Sequence, residues 1–484
     1  MKPLALFIII PLATAFLIAL LGRRIKNLGD VLTNMAGAGL FILACSIIPG
    51  VISHKVLTYK TGNWPVILGS SFIVDGLSML LLVVINLVCC LVMVYSLSYM
   101  EKYTDKWNYQ ALFMLMIAGL NGVILSADIF TLYVFLELAS IAGYVLVAFS
   151  TEAEALEASF RYTIIGSLAS VCILLGIALL YSFTSTLNMA DISLIIASRS
   201  QQGQLLNFVS VLFLAGFGMK AALVPFHAWL PDAHSSAPSP VSATLSGVVI
   251  KTLGVYSLIR IFFNVIGTSS NLLNCLVILG LASMIAGAFL AIAQNDIKRM
   301  FAYSSISQVG YIIFALGIGT PLAVLGGLFH LLNHAVFKSL LFLNAGAIER
   351  VAGTRDLTKL KGLAEKLPLT SSTALFGSMS ISGVPPFAGF WSKLIIIIAA
   401  IEAGHPIFAL IAALVSIVTL VYYLKFQAGV FFGALPSAFA NIKEAPLTMK
   451  MPMVVLAVLS VAGGLLLLPC CREFLQSAVK AVLS

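Results

Sequence analysis

The sequence predicts an all-α polytopic membrane protein, and three observations predict it. Only 9% of its 484 residues are charged and 61% are hydrophobic, whereas a water-soluble surface needs roughly 25% charged residues. Apolar runs of about 20 residues, each long enough to cross a hydrocarbon core as a helix, recur along the whole chain. Two of the later runs are interrupted in mid-span by proline, at Val224-Pro225-Phe226 and at Gly383-Val384-Pro385-Pro386-Phe387.

Hydrophobic runs read against their breaks give about 14 helices on the length rule. They fall near Pro3–Leu21, Leu28–Pro49, Phe72–Tyr99, Tyr109–Ser126, Ile129–Phe149, Ala155–Phe183 and Asn207–Trp229 in the first half. Val241–Phe263, Leu272–Ala293, Ile297–Ile318, Pro321–Ile348, Leu369–Ile401, His405–Phe432 and Met451–Leu468 follow. The first run lacks a small-residue cleavage site and is kept as a spanning helix. Leu187 to Gln204 alternates apolar residues with Asp191, Ser193, Ser198 and Arg199, which suits a short interfacial helix. Asp75 and Asp128 stand where helices begin and read as caps.

An even count of helices puts both termini on one side. With the termini outside, Arg23, Arg24, Lys26, Lys102, Lys106, Arg161, Lys298, Arg299, Arg350, Arg355, Lys359, Lys361, Lys366, Lys443 and Lys450 share the opposite loops. Only Lys2, Lys55, Lys60, Arg199, Arg260, Arg472 and Lys480 fall with the termini. The positive-inside rule assigns the richer set to the cytoplasm of an inner (cytoplasmic) membrane. The net charge of +9 is therefore a statement of topology, and its scatter over helix ends gives no patch for nucleic acid.

The two proline breaks at Pro225 and at Pro385 and Pro386 open their helices by removing a backbone donor and crowding the preceding turn. Paired broken helices in two halves of a chain point to an ion site. Five helices separate the breaks, so the chain reads as an inverted repeat, residues 109–263 and 272–432 within a single membrane domain of residues 1–484.

With loop charges set aside, Glu137, Lys220, Lys251, Lys338 and Lys393 remain inside apolar runs, with His330 and His334. A charge at mid-membrane costs about 2.5–3.5 kcal/mol, so such residues persist by pairing or by lining a wet cavity. Glu137 has no charged neighbour in its own segment, and Lys220, about one turn before the first break, is its expected partner. A buried lysine gives up its proton readily, and a nearby carboxylate controls that equilibrium, so the pair is a switchable proton store. His330, His334 and Lys338 follow at four-residue intervals, a stripe about 12 Å long on one helix face that can relay protons. Lys251 lies among small residues in mid-helix, and Lys393 follows the second break as an exit-side group.

Other chemistry finds less support. His330 and His334 could share a metal or haem, but Leu331 stands where a zinc protease carries glutamate, and the other histidines lie at breaks or loops. Cys45, Cys89, Cys90, Cys172, Cys275, Cys470 and Cys471 lack the spacing of a metal or iron–sulfur site. No cofactor, no metal and no redox chemistry of its own are expected.

The run Lys220-Ala-Ala-Leu-Val-Pro-Phe-His-Ala-Trp-Leu-Pro-Asp-Ala-His-Ser-Ser-Ala-Pro-Ser-Pro-Val-Ser-Ala243, with His330-Leu-Leu-Asn-His-Ala-Val-Phe-Lys-Ser-Leu-Leu-Phe342, carries a resemblance over essentially the whole chain. It resembles the antiporter-like subunits shared by respiratory complex I, the Mrp sodium/proton antiporters and membrane-bound energy-converting hydrogenases. The resemblance implies inverted five-helix repeats, broken seventh and twelfth helices and a hydrated midplane axis. It makes Glu137 the family's glutamate, Lys220 its broken-helix lysine and Lys251 its bridging lysine. His330, His334 and Lys338 become its eleventh-helix group, and Lys393 its terminal lysine. Lys393 resembles the Mrp D-type subunit and some complex I members, the Pro231–Pro240 stretch looks most like the hydrogenase and Mrp D-type branch, and the lateral helix of the largest complex I member is not expected here.

The expected function is proton translocation as one subunit of a larger complex, with other membrane subunits, protons or sodium, and lipid as partners. A freestanding sodium/proton exchanger and a quinone- or haem-linked oxidoreductase subunit are the alternatives.

Overall fold

A computed structural model describes residues 3–25, 27–54, 56–63, 71–198, 203–469 and 471–483. Lys2, Lys26, Lys55, Arg199 and Cys470 lie outside them.

Among the described residues the chain is all-helical apart from one small antiparallel ribbon. Its helices are α1 (Leu6–Leu21), α2 (Leu28–His54), α3 (Gly76–Tyr99), α4 (Lys106–Leu125), α5 (Ile129–Val147) and α6 (Ala153–Thr184). A short α7 (Met189–Ser198) precedes α8 (Gln204–Lys220) and α9 (Trp229–Ser236). Then come α10 (Ser239–Val265), α11 (Ser270–Ile292), α12 (Ile297–Ile318) and α13 (Pro321–Ala352). The chain ends with α14 (Pro368–Ser382), α15 (Ala388–Glu402), α16 (Pro406–Phe431), α17 (Leu447–Ala462) and α18 (Arg472–Leu483). Among the described residues, eleven helical stretches are long and apolar enough to cross a membrane unbroken.

Three local differences from the sequence reading have simple causes. The expected Phe72–Tyr99 helix starts at Gly76, because Asp75 caps it with a 2.9 Å bond from the Ser78 amide. Ser71–Val74 before it is β2, paired with β1 (Leu57–Lys60). The last expected span begins earlier, at Leu447, and closes in a 3₁₀ turn at Gly463–Leu467. α18 was not foreseen; its Leu475, Ala478 and Val482 recur at helical spacing and are buried.

α13 is the centre of the bundle. The apolar window of this 32-residue helix is buried throughout, and those of α4, α10 and α12 are more than four-fifths buried. α6, α11 and α16 instead show Phe160, Leu168, Val171, Ile278, Phe289, Ile407 and Ile417 to the exterior. A contiguous apolar exterior of this extent belongs in lipid. α11 and α12 meet backbone to backbone: a Cβ on Gly280 would stand 2.5 Å from the Phe314 amide nitrogen, and one on Gly310 2.5 Å from that of Met284. Small residues at a crossing are how helices without a hydrophobic driving force gain contact.

Loop charges at one end of the bundle hold each other. Lys106 pairs with Asp30, Arg161 and Arg299 share Asp232, and Arg355 reaches Asp296 and Glu349. At the other end Arg260 pairs with Asp75 at 2.5 Å, and Asn264 bonds the Ala481 carbonyl of α18 at 2.9 Å.

Candidate proton path

The first proline break falls directly after Lys220, the last residue of α8. Ala222 takes a left-handed backbone, φ +55°, a conformation that costs an L-residue roughly 1–2 kcal/mol. The polar groups freed there are taken up locally. The Met219 carbonyl accepts the Trp229 indole N–H at 3.0 Å, and the Val224 amide donates to Ser283 at 3.0 Å. α10 presses against the break at Gly254, where a Cβ would collide with the Ala221 backbone. Lys220 is thereby pinned at a helix end inside the bundle.

Its ammonium faces one side of α5. Glu137, Ser140 and Tyr144 recur at spacings of three and four, which puts them on a single helix face. Lys220 Nζ donates to Ser140 Oγ at 2.9 Å and to the Tyr144 hydroxyl at 3.3 Å, and lies 3.6 Å from Glu137 Oε1. The hydroxyl of Ser170 on α6 donates to the same carboxylate oxygen. Glu137 and Lys220, paired on chemistry alone in the sequence, are neighbours in space.

Lys251 lies in α10, whose backbone runs in i→i+5 bonds over Leu245–Val249, Lys251–Tyr256 and Arg260–Val265. Such widened turns free carbonyls and often mark functional positions. Lys251 donates to the Ser246 carbonyl, and the Ser246 and Ser305 hydroxyls are 2.7 Å apart. Ser305 bonds the Phe301 carbonyl at 3.0 Å, and Lys338 Nζ donates to that same carbonyl at 2.6 Å. A chain of polar atoms therefore runs from Lys251 on α10 across α12 to Lys338 on α13. The Tyr423 hydroxyl, 3.3 Å from Lys338 Nζ, adds α16 to it.

Farther along α13 the His330 ring is held at both nitrogens, by Ser392 Oγ at 2.9 Å and Gln308 Oε1 at 3.1 Å. The His334 ring lies parallel to it, centroids 6.2 Å apart. Neither His334 nitrogen has a hydrogen-bond partner among the described residues, and the ring is within electrostatic reach of Lys251, Lys338 and Lys393. Lys393 sits past the second break, five residues into α15. It donates to Ser416 Oγ at 3.2 Å and lies 4.9 Å over the Tyr311 ring. Ser416 donates in turn to the Ser382 carbonyl, the last of α14, at 2.8 Å. The carbonyl that the Gly383–Pro386 interruption leaves free thus reaches Lys393 through one hydroxyl.

All seven expected side chains lie inside the helical bundle, and all but Glu137 are at most 4% exposed. They are not one continuous hydrogen-bonded wire. Among the described residues no direct bond joins the Glu137–Lys220 group to Lys251, or Lys338 to His334. Sequence reasoning missed Ser140, Tyr144, Ser170, Gln308, Ser392, Ser416 and Tyr423, which hold the titrating groups. The available signal was polar side chains at helical spacing in apolar runs, as in Tyr303-Ser-Ser-Ile-Ser-Gln308. It also placed Lys298 with the loop cations, whereas Lys298 is 1% exposed and donates to the Ala237 carbonyl at 2.5 Å. His234, set aside as a loop residue, is fully buried.

Comparison with known proteins agrees with this architecture. Residues 126–419 match the family described as "NADH:quinone oxidoreductase/Mrp antiporter, TM", and residues 66–113 that described as "NADH-Ubiquinone oxidoreductase (complex I), chain 5 N-terminus". The chain is 34% identical to the N-type subunit of the NADH-quinone oxidoreductase of Desulforudis audaxviator over 95% of each chain. It is 30% identical to the D-type subunit of the Na(+)/H(+) antiporter of Alkalihalophilus pseudofirmus, covering 97% of this chain and 96% of that one. Among solved structures it resembles a chain of the Mrp complex from Dietzia sp. (TM-score 0.92, 27% identity, 100% of both chains). A chain of the archaeal membrane-bound sulfane sulfur reductase is equally similar (TM-score 0.92, 30% identity, 99% of this chain and 98% of that one). A helical bundle of this depth, matched end to end by such relatives, makes the chain a multi-pass member of the NADH:quinone oxidoreductase/Mrp antiporter membrane-subunit family.

Proposed function

We propose that this protein is the proton-translocating membrane subunit of a multisubunit ion-pumping complex, and that its path is Glu137, Lys220, Lys251, Lys338, His334, His330 and Lys393. The carrying observation is the placement of Lys220, at the end of a broken helix and 3.6 Å from Glu137. Approach of the carboxylate holds the proton on Lys220, and withdrawal releases it. Lys251 and Lys338, tied through Ser246, Ser305 and Phe301, carry it into the second half, and the parallel His330 and His334 rings lead it toward Lys393. Water fills the steps without direct bonds, as polar side chains in a membrane interior require.

Protons suit this axis better than sodium. A sodium ion is bound by several oxygen ligands, whereas four of these seven groups are lysines and one is a carboxylate. Sodium exchange, if the complex performs it, then proceeds on another surface or subunit.

The same reading makes residues 109–263 and 272–432 two inverted repeats, one broken helix in each. It puts the face rich in Arg161, Arg299 and Arg355 in the cytoplasm, with both termini outside an inner membrane and lipid around the belt. Other membrane subunits supply the driving reaction. The test is proton uptake by everted vesicles containing the whole complex, read with a pH-sensitive dye after addition of NaCl or an electron donor. Lys220→Met should abolish uptake and Glu137→Gln lower it about tenfold or more, with the subunit still assembled; normal uptake by both overturns the proposal.

A further inference from the structure

On the Arg355 side a row of polar groups leads from the loop face toward the path just proposed. Lys298 begins a polar stripe on α12: Lys298, Phe301, Ser305 and Gln308 recur at spacings of three and four. Over these eleven residues, about 15 Å of helix, the Phe301 carbonyl contacts Lys338, the Ser305 hydroxyl Ser246 and the Gln308 amide His330. Lys298 extends the stripe toward the loop face.

On its outer side Lys298 is within electrostatic reach of Glu349, Arg355, Asp296 and Lys102. The Glu349 carboxylate accepts the Tyr99 hydroxyl at 3.2 Å and the Ser239 hydroxyl at 3.3 Å, and Arg355 lies 3.8 Å from its other oxygen. Lys102 donates to the Tyr99 hydroxyl at 3.4 Å. On its inner side is His234. Its ring stands edge-on between Trp229 and Phe342, at 6.4 and 5.7 Å, and the Leu230 carbonyl one turn back accepts from it. The same Phe342 ring has Lys338 Nζ at 5.9 Å. His234 is within electrostatic reach of Lys298, Lys251 and Lys338. A fully buried imidazole within reach of three lysines, whose second nitrogen has no partner among the described residues, is unusual as packing, since buried polar groups are normally satisfied.

We propose that Lys298 and His234 form the proton access route between the Glu349 face and Lys338. A proton reaching the Glu349 cluster from water passes to the neutral amine of Lys298. It moves to one nitrogen of His234 and, by way of water beside Phe342, to the neutral amine of Lys338. Each group returns to its starting state once the proton has passed, Glu349 as a carboxylate, Lys298 as a neutral amine and His234 as a neutral imidazole, and the positive charge moves with the proton to Lys338. This route rests on the reading of the midplane path as a proton conductor.

The test separates relay from scaffold. Lys298→Arg keeps a cation and the bond to the Ala237 carbonyl, but a guanidinium does not release its proton. His234→Phe keeps a ring between Trp229 and Phe342 and removes both nitrogens. In vesicles containing the whole complex, both variants should assemble and lower dye-read proton uptake about tenfold or more, on the scale of a lost proton-transfer group. Wild-type uptake by both overturns the route. If Lys298→Arg does not assemble, His234→Phe decides alone, and His234→Lys, which returns a titratable nitrogen, should recover part of the uptake. Lys220→Met is the control for the underlying path. If it silences uptake while Lys298→Arg and His234→Phe do not, only the access route fails; if it pumps normally, the path itself fails.

Discussion

Glu137 and Lys220 are unequal partners: their charged atoms lie 3.6 Å apart, yet the Lys220 side chain is 3% exposed and that of Glu137 25%. Lys220 is locked by Ser140 and Tyr144 at a helix end, whereas Glu137 is held by Ser170 and faces outward in part. The more exposed member of the pair is the carboxylate.

Glu137→Gln, which keeps the shape and the Ser170 contact, should therefore lower proton uptake by about tenfold or more, the effect of losing roughly 1.4 kcal/mol of coupling to Lys220. Because both residues belong to one pair, Glu137→Gln with Lys220→Met should be no worse than Lys220→Met alone. Uptake rates of the two single variants and the double variant measure this.

Tyr423→Phe removes a hydroxyl that lies 3.3 Å from Lys338 and 3.1 Å from Ser304. Such a hydrogen bond contributes about 0.5–1.5 kcal/mol. The complex should melt earlier in detergent and pump more slowly, with the subunit retained.

Gly254→Val tests the packing that sets the first break. The added side chain meets the Ala221 backbone, and overpacking of this kind costs about 1–3 kcal/mol. The variant should lose thermal stability and move Lys220 away from Ser140. Gly203→Ala, where nothing lies within reach of a new Cβ, is the matched control and should leave both unchanged.

Asp75 links stability to pH at the other end of the bundle. Burial pushes its carboxyl up, but the Arg260 guanidinium and the Ser78 amide outweigh this and hold it below the usual carboxylate range. A depressed carboxyl contributes fully above its unfolded value of about 3.9, and the contribution disappears as pH falls through the folded value. Asp75→Asn should cost about 3–5 kcal/mol at neutral pH by leaving Arg260 unpaired. Melting curves of variant and parent should converge as pH falls below the ordinary carboxylate range, where the depressed carboxyl takes up its proton.

The titrating groups of the proposed path were legible because lipid makes them conspicuous. Lys220, Lys251, His330, His334, Lys338 and Lys393 stand in apolar runs, and nothing but pairing or water explains a charge there. The proline breaks were legible for the same local reason. Ser140, Ser392 and Ser416 were not, since a serine costs little in an apolar helix and its role depends on which helix faces it. Lys298 was misplaced because a lysine two residues into a helix looks the same in sequence whether its side chain turns to solvent or to the Ala237 carbonyl. The widened turns of α10 left no sequence mark, and α18 was overlooked because its burial depends on α3 being beside it.

The sequence by itself determined the solvent, the helices and the inventory of buried charges, since each of these follows from residues within a turn or two of one another. Tertiary structure alone decided that Glu137 meets Lys220, that Lys251 reaches Lys338 through Ser246 and Ser305, and that His234 is enclosed. The physical reason is distance along the chain. A hydrogen bond needs its partners about 3 Å apart, and only the packing of α5, α8, α10, α12 and α13 brings together bonded side chains that lie from 22 to 80 residues apart.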